Sequence, residues 1–182
     1  MRRATFVLAA LAAGIAAATS AQEKPDFSGA WMATEPGVGA AASGEAPSSS
    51  LGSGWGESFT LVQDSNTLTV EHVLYRPRDY QPTLKWRYAL DGSESRNTVL
   101  MGRGMQVQVS TAAWEDDKLV ITTLHTVPEV AYGRTATCEV RQTLSLQPPQ
   151  MAAWSPSLVI ETTRCGFLGG PPSTTRTVYA RN

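Results

Sequence analysis

Asp26-Phe27-Ser28-Gly29-Ala30-Trp31 opens the folded part of this 182-residue chain, and the pattern downstream of it gives it meaning. From Ser58 onward, short runs of alternating apolar and polar residues succeed one another between clusters of turn residues. Ser58 to Gln63 and Thr67 to Tyr75 alternate with period two around Asp64-Ser65-Asn66, which reads as a hairpin. In Thr83 to Leu90, Leu84, Trp86, Tyr88 and Leu90 share one face and Lys85 and Arg87 the other, and the run ends at Asp91-Gly92. A weaker run at Asn97 to Leu100 precedes Gln106 to Trp114 and Lys118 to Thr126, which Glu115-Asp116-Asp117 joins. Thr135 to Leu146, Leu158 to Cys165 and Ser173 to about Arg181 complete the series, with a Pro-rich insertion at Gln147 to Ser157. Outside the N-terminal segment no run carries a 3.6-residue stripe.

About ten short strands with no helix predict an all-β domain, either a barrel or a sandwich. Sequential hairpins favour a single antiparallel up-and-down β-barrel of about 8–10 strands, with a Greek-key sandwich as the structural rival. Closure into a barrel removes exposed strand edges, an advantage for a secreted monomer.

Residues 1–21 read as a cleaved signal peptide. Arg2 and Arg3 are basic, Phe6 to Ala18 are apolar, and Thr19-Ser20-Ala21 offers small residues for cleavage. The apolar run is too short to span a bilayer with margin. Thr5 and Phe6 depart from the twin-arginine pattern, which leaves the general secretory route, and no Cys follows the run to carry a lipid. The expected location is the periplasm or the extracellular space. Residues 22–182 then form one domain with no transmembrane segment. Of fifteen Lys and Arg, two fall in the leader, leaving thirteen against sixteen acids. A net charge near minus three, with the cations scattered, excludes a nucleic-acid partner, which would call for a basic stripe. A transmembrane barrel is disfavoured by outward charges such as Lys85 with Arg87. Residues 35–56, dominated by Gly, Ala, Ser and Pro, predict a long flexible loop, since they bury too little surface to offset ordering entropy.

Pro25 to Trp31, Leu90-Asp91-Gly92-Ser93-Glu94-Ser95, Ala113 to Thr123 and Thr175-Arg176-Thr177-Val178-Tyr179 together resemble exported bacterial lipocalin-like proteins of uncharacterised function. This is the lipocalin and fatty-acid-binding-protein class of barrel, the calycin type. The resemblance covers most of the mature chain. It implies that Gly29 lets the first strand bend sharply, that Trp31 plugs one end of the barrel, and that a last-strand arginine, Arg176 or Arg181, stacks over the Trp31 ring. In fatty-acid-binding proteins a helical lid follows the first strand, which the composition of residues 35–56 does not support. Those proteins also hold a carboxylate with an inward Arg and Tyr two residues apart. Here Arg176 and Tyr179 are three apart and face opposite sides of a regular strand, so the clamp requires a bulge or is absent.

Cys138 and Cys165 flank the Pro-rich insertion, and export favours their pairing as a disulfide. If Leu144 and Leu146 share the inner face with Leu158 and Ile160, the two cysteines fall on opposite faces, and a bulge or a strand end must bring them together. Catalytic constellations are missing. His72 and His125 are the only histidines, no Gly-x-Ser-x-Gly elbow occurs, Gly102-Arg103-Gly104 is too sparse to cradle phosphate, and no metal site or cofactor is expected. His72 reads most simply as an interior histidine and His125 as exposed at a strand end. Trp86 and Tyr88 either fill a dry core or line a cavity for an apolar guest.

The leading expectation is an exported, non-enzymatic barrel that holds a small hydrophobic or amphipathic ligand. Leu68, Val70, His72, Trp86, Tyr88, Arg176 and Tyr179 are its candidate ligand-binding residues, and Gly29 and Trp31 form the barrel plug. The alternative is a cell-envelope interaction or structural module with a packed barrel and no ligand, contacting a protein partner through its loop or outer faces.

Overall fold

Alternation of apolar and polar residues becomes ten strands in the computed structural model, which describes residues 24–34, 52–73, 83–101, 104–129, 134–149, 155–166 and 170–182. The expected signal peptide, residues 35–51 of the expected loop, Leu74 and Gly102-Arg103 lie outside them. In chain order the strands are β1 (Gly29–Ala33), β2 (Ser58–Gln63), β3 (Thr67–Val73), β4 (Thr83–Ala89), β5 (Glu94–Met101), β6 (Gly104–Glu115), β7 (Lys118–Glu129), β8 (Arg134–Gln147), β9 (Ser157–Arg164) and β10 (Ser173–Arg181). No helix occurs among the described residues, so none is long and apolar enough to cross a membrane.

The strands lie in the order β4-β3-β2-β1-β10-β9-β8-β7-β6-β5, each antiparallel to its neighbour. This is the up-and-down arrangement, and the sheet is nearly closed into a barrel. The first strand meets the last through Trp31↔Arg181 and Ala33↔Tyr179, so the chain's two ends are stitched by a ladder. The remaining seam lies between β4 and β5. There side chains stand in for ladder bonds: Asn97 Oδ1 accepts from the Arg87 N–H at 2.7 Å, and Asn97 Nδ2 donates to the Arg87 carbonyl at 3.1 Å. Ser95 Oγ accepts from the Ala89 N–H at 2.8 Å. The Asn97 amide thus copies the donor and acceptor of a peptide group, so these backbone groups of β4 keep their partners.

One end of the cylinder, its base, carries the tight turns at Asp64-Ser65-Asn66, Asp91-Gly92 and Asp116-Asp117. Trp31 fills it at 1% exposure, its Nε1 donating to the Phe27 carbonyl at 2.9 Å. Phe27 stacks on Trp114 at 5.8 Å, and Gln63 pins the entering chain by accepting from the Phe27 N–H and donating to the Pro25 carbonyl. Of the two candidate arginines, Arg181 lies over the Trp31 ring, 5.1 Å from its centroid, and donates to the Ser28 carbonyl. Register chooses it, since Arg181 is directly opposite Trp31. Gly29 is at φ +146°, and a Cβ there would meet Arg181 Nε at 3.2 Å, so glycine leaves room for the guanidinium.

Cys138 and Cys165 lie at disulfide distance, with Cα atoms 5.6 Å apart. The parity conflict is resolved by a strand end. The β8–β9 ladder stops at Val140↔Arg164, and Cys165 follows it outside the ladder, free to turn toward Cys138.

Candidate functional site

The barrel wall has two chemistries inside. On β1–β4 the inward side chains are mostly apolar: Trp31, Phe59, Leu61, Leu68, Val70, Trp86 and Tyr88 are all buried in one cluster. On β5–β10 they are apolar mainly next to the base, through Ala112, Leu119, Ile121, Leu144, Leu158 and Ile160, with Val99 of β5 farther up. Beyond that band the same inward positions carry Asn97, Gln108, Ser110, Thr123, Gln142, Thr162 and Thr177, every one buried. Buried polar groups need partners, and all of these but Thr177 have one that can be traced. Asn97 closes the seam, Gln108 Oε1 accepts from Trp86 Nε1 at 3.1 Å, and Ser110 and Thr123 bond each other at 2.8 Å. Gln142 and Thr162 instead turn to a segment that the sequence places in a loop.

That segment is Gly52 to Gly56. Residues 35–56 are expected to form a flexible loop, yet their last part enters the barrel: Ser53 is fully buried and Trp55 is 3% exposed. Tertiary contacts made by residues far along the chain override the composition. Gln142 Nε2 donates to the Ser53 carbonyl at 2.6 Å, with Thr162 Oγ1 at 3.4 Å. Arg164 Nη2 donates to the Gly52 carbonyl at 2.8 Å, with Thr175 Oγ1 at 3.3 Å. The Tyr179 hydroxyl lies 2.6 Å from Ser53 Oγ and 3.1 Å from the Gly56 carbonyl. Trp55 packs edge-on against Phe59 at 5.4 Å and tilted against Tyr88 at 6.2 Å. Gly52, Gly54 and Gly56 have φ of +42°, +93° and +93°, a run that side chains would strain.

The surroundings leave their mark on the ionisable groups. Burial pushes the Tyr179 hydroxyl above its ordinary range, partly offset by the Ser53 bonds, and burial raises Tyr88 strongly. Burial holds His125 below the usual imidazole value, and the neighbouring Arg164 charge adds to the effect. His125 is thus half-buried at this end of the barrel and not simply exposed.

The candidate ligand residues separate into three groups. Leu68, Val70, Trp86 and Tyr88 come together in the apolar wall. His72, on the same face, is half-buried at the strand's far end, where Nδ1–H donates to the Ser58 carbonyl at 2.7 Å; a carbonyl only accepts, which sets that tautomer. Its ring lies over Gly56, with Cε1 2.7 Å from where a Cβ would be. Tyr179 points inward and is fully buried. Arg176 corrects the expectation: it is exposed on the outer face, opposite Tyr179, because β10 is regular with no bulge in its pairing to β9. The two do not form a clamp. Sequence reasoning passes over Ser53, Trp55, Gln142, Thr162 and Arg164. Parity signals the last two, since they follow Leu158 and Ile160 on one face, and Trp55 stands out as the large ring in a Gly/Ser-rich stretch.

Among the described residues no cluster of three or more His, Cys, Asp or Glu is placed to hold a metal ion. No family model, no curated protein and no solved structure matches the chain.

Proposed function

We propose that this chain is an exported, non-enzymatic barrel of calycin type that binds a small amphipathic molecule inside it, in the periplasm or outside the cell. The observation that carries the reading is the zoned interior. A protein that only needs a dry core is served by apolar side chains on every inward position, because each buried polar group costs desolvation unless it is paired. Here the half of β5–β10 remote from the base spends most of its inward positions on amides and hydroxyls, Val99 apart, opposite a wall that is apolar but for His72 at its far end. One of them, the Thr177 hydroxyl, is buried near the Tyr179 hydroxyl but makes no hydrogen bond of good geometry. Such a chamber matches a guest with an apolar body and a polar end. Its expected export rests on the leader at residues 1–21, and its resemblance to lipocalin-like proteins on the Gly29-Ala30-Trp31 opening with Arg181 stacked above it.

The packed-module alternative draws on Trp55, which occupies interior space. Native mass spectrometry of protein released gently from the periplasm separates the two. The carrier reading expects bound mass that vanishes on unfolding. Protein that emerges empty, and also fails to enhance the fluorescence of amphipathic dyes, rejects it.

A further inference from the structure

We infer that the Gly52–Trp55 turn is a displaceable stand-in for the ligand, and that the guest is a small molecule in which an aromatic ring is joined to acceptor oxygens. This rests on the carrier reading and names the ligand class for the same chamber.

The turn behaves as an occupant of the wall and not as part of it. Among the described residues no backbone–backbone hydrogen bond ties Gly52 to Trp55 to any strand; its contacts with the barrel are made by side chains. Those side chains come from three adjacent strands and present donors to it: Gln142 on β8, Thr162 and Arg164 on β9, and Thr175 on β10 converge on two successive carbonyl oxygens. Two residues after Ser53, the Trp55 indole lies between Phe59 and Tyr88. The seat is therefore a template: two acceptor oxygens at the polar wall, and a flat ring in the aromatic slot opposite.

The template also sets what must replace the turn. Withdrawing it strips buried donors of their acceptors, at roughly the desolvation cost of each group, so a guest without oxygens leaves Gln142 and Thr162 unsatisfied. A site built around hydrogen bonds discriminates strongly against an analogue lacking them. The aromatic slot demands the other half, because the departing indole leaves apolar surface against Phe59 and Tyr88. The glycines at 52, 54 and 56 make the turn cheap to rearrange, as no side chain but those of Ser53 and Trp55 has to leave the barrel.

Two dyes sharing the same rings test this on the mature chain. 8-Anilinonaphthalene-1-sulfonate carries acceptor oxygens, and N-phenyl-1-naphthylamine does not. The expected result is one-to-one binding of the sulfonate dye at least tenfold tighter than the neutral one, with near-UV circular dichroism showing a folded protein. Binding should also raise acrylamide quenching of tryptophan in the wild type and not in Trp55→Phe, since the ring that emerges is Trp55. Ser53→Ala alters the turn and leaves the wall intact, so it should tighten the sulfonate dye several-fold, while Gln142→Leu should pull the two dyes' affinities together. Tight dye binding with Trp55 still shielded and no effect of Ser53→Ala overturns the stand-in while leaving the carrier reading standing. Equal affinity for both dyes overturns the ligand class. Binding of neither dye to the wild type or to Ser53→Ala overturns the carrier reading, and this inference with it.

Discussion

At the base of the barrel, Trp31 is sealed by Phe27, Trp114 and the Arg181 guanidinium; toward the other end, Trp55 is equally buried but sits on a turn held by Gln142, Arg164 and Tyr179. Both bury an indole inside the barrel. The difference lies in what carries it. Trp31 is in a strand whose ladder joins β2 to β10, so it moves only if the sheet opens. Trp55 belongs to a glycine-rich segment outside every ladder. Stability should therefore concentrate at the base, and adaptability in the polar half.

Breaking the base is the most direct attack on that division. Trp31→Ala should cost about 3–5 kcal/mol, as large-to-small changes of buried aromatics do. Denaturant unfolding measures it, and a loss under about 1 kcal/mol would mean the base is no anchor. Arg176→Ala, on the outer face, should stay within about 0.5 kcal/mol in the same assay.

The polar half has one strong tie of its own. Cys138 and Cys165, 27 residues apart in sequence, join β8 to the residue after Arg164. Replacing both with Ser should lower stability by about 2–4 kcal/mol in the chain-entropy account. The sharper outcome concerns Arg164. If the link also positions its guanidinium on Gly52, the double variant should leave Trp55 more open to acrylamide at temperatures where the protein is still folded. An unchanged Trp55 would confine the bond's role to stability.

How much of this division is legible in the sequence depends on whether a feature is local. The apolar wall is legible, since Leu84-Trp86-Tyr88 against Lys85-Arg87 needs only strand alternation. So is the outward placement of Arg176 relative to Tyr179. Arg181 over Trp31 is not, because β1–β10 register joins residues at opposite ends of the chain. Burial of Trp55 is least legible. Its composition argues for solvent, and its seat is built from Gln142, Arg164 and Tyr179, whose bonds to Ser53 and Gly52 span 89, 112 and 126 residues. The cysteines fall between, as parity exposes the conflict while the end of β9 resolves it.

The β4–β5 seam compares side-chain closure with ladder closure in another place. Asn97→Ala removes both surrogate bonds to Arg87, and should cost about 1–2 kcal/mol because those backbone groups are only partly buried. Hydrogen exchange at the Arg87 amide should accelerate beyond what the global loss explains. Exchange that tracks global unfolding alone would show that the seam opens only with the whole barrel.

The smallest expected effect is a pH dependence that belongs to the polar half of the barrel. His125 is held below its ordinary value of 6.5, first by burial and then by Arg164, so between the folded and unfolded values the unfolded chain binds the extra proton. The contribution is fully present above the unfolded value and is lost as pH falls through the folded one. Melting temperature should therefore decline as pH drops below about 6.5, the ordinary histidine value. Asp26, whose carboxyl is held low by its bonds to Ser28, adds a separate loss near the base only at more acidic pH, below the usual carboxylate range. His125→Gln should flatten the first step and leave the second. A first step that survives this change would place the responsible group elsewhere, and would overturn the claim that this half of the barrel is the one tuned to its surroundings.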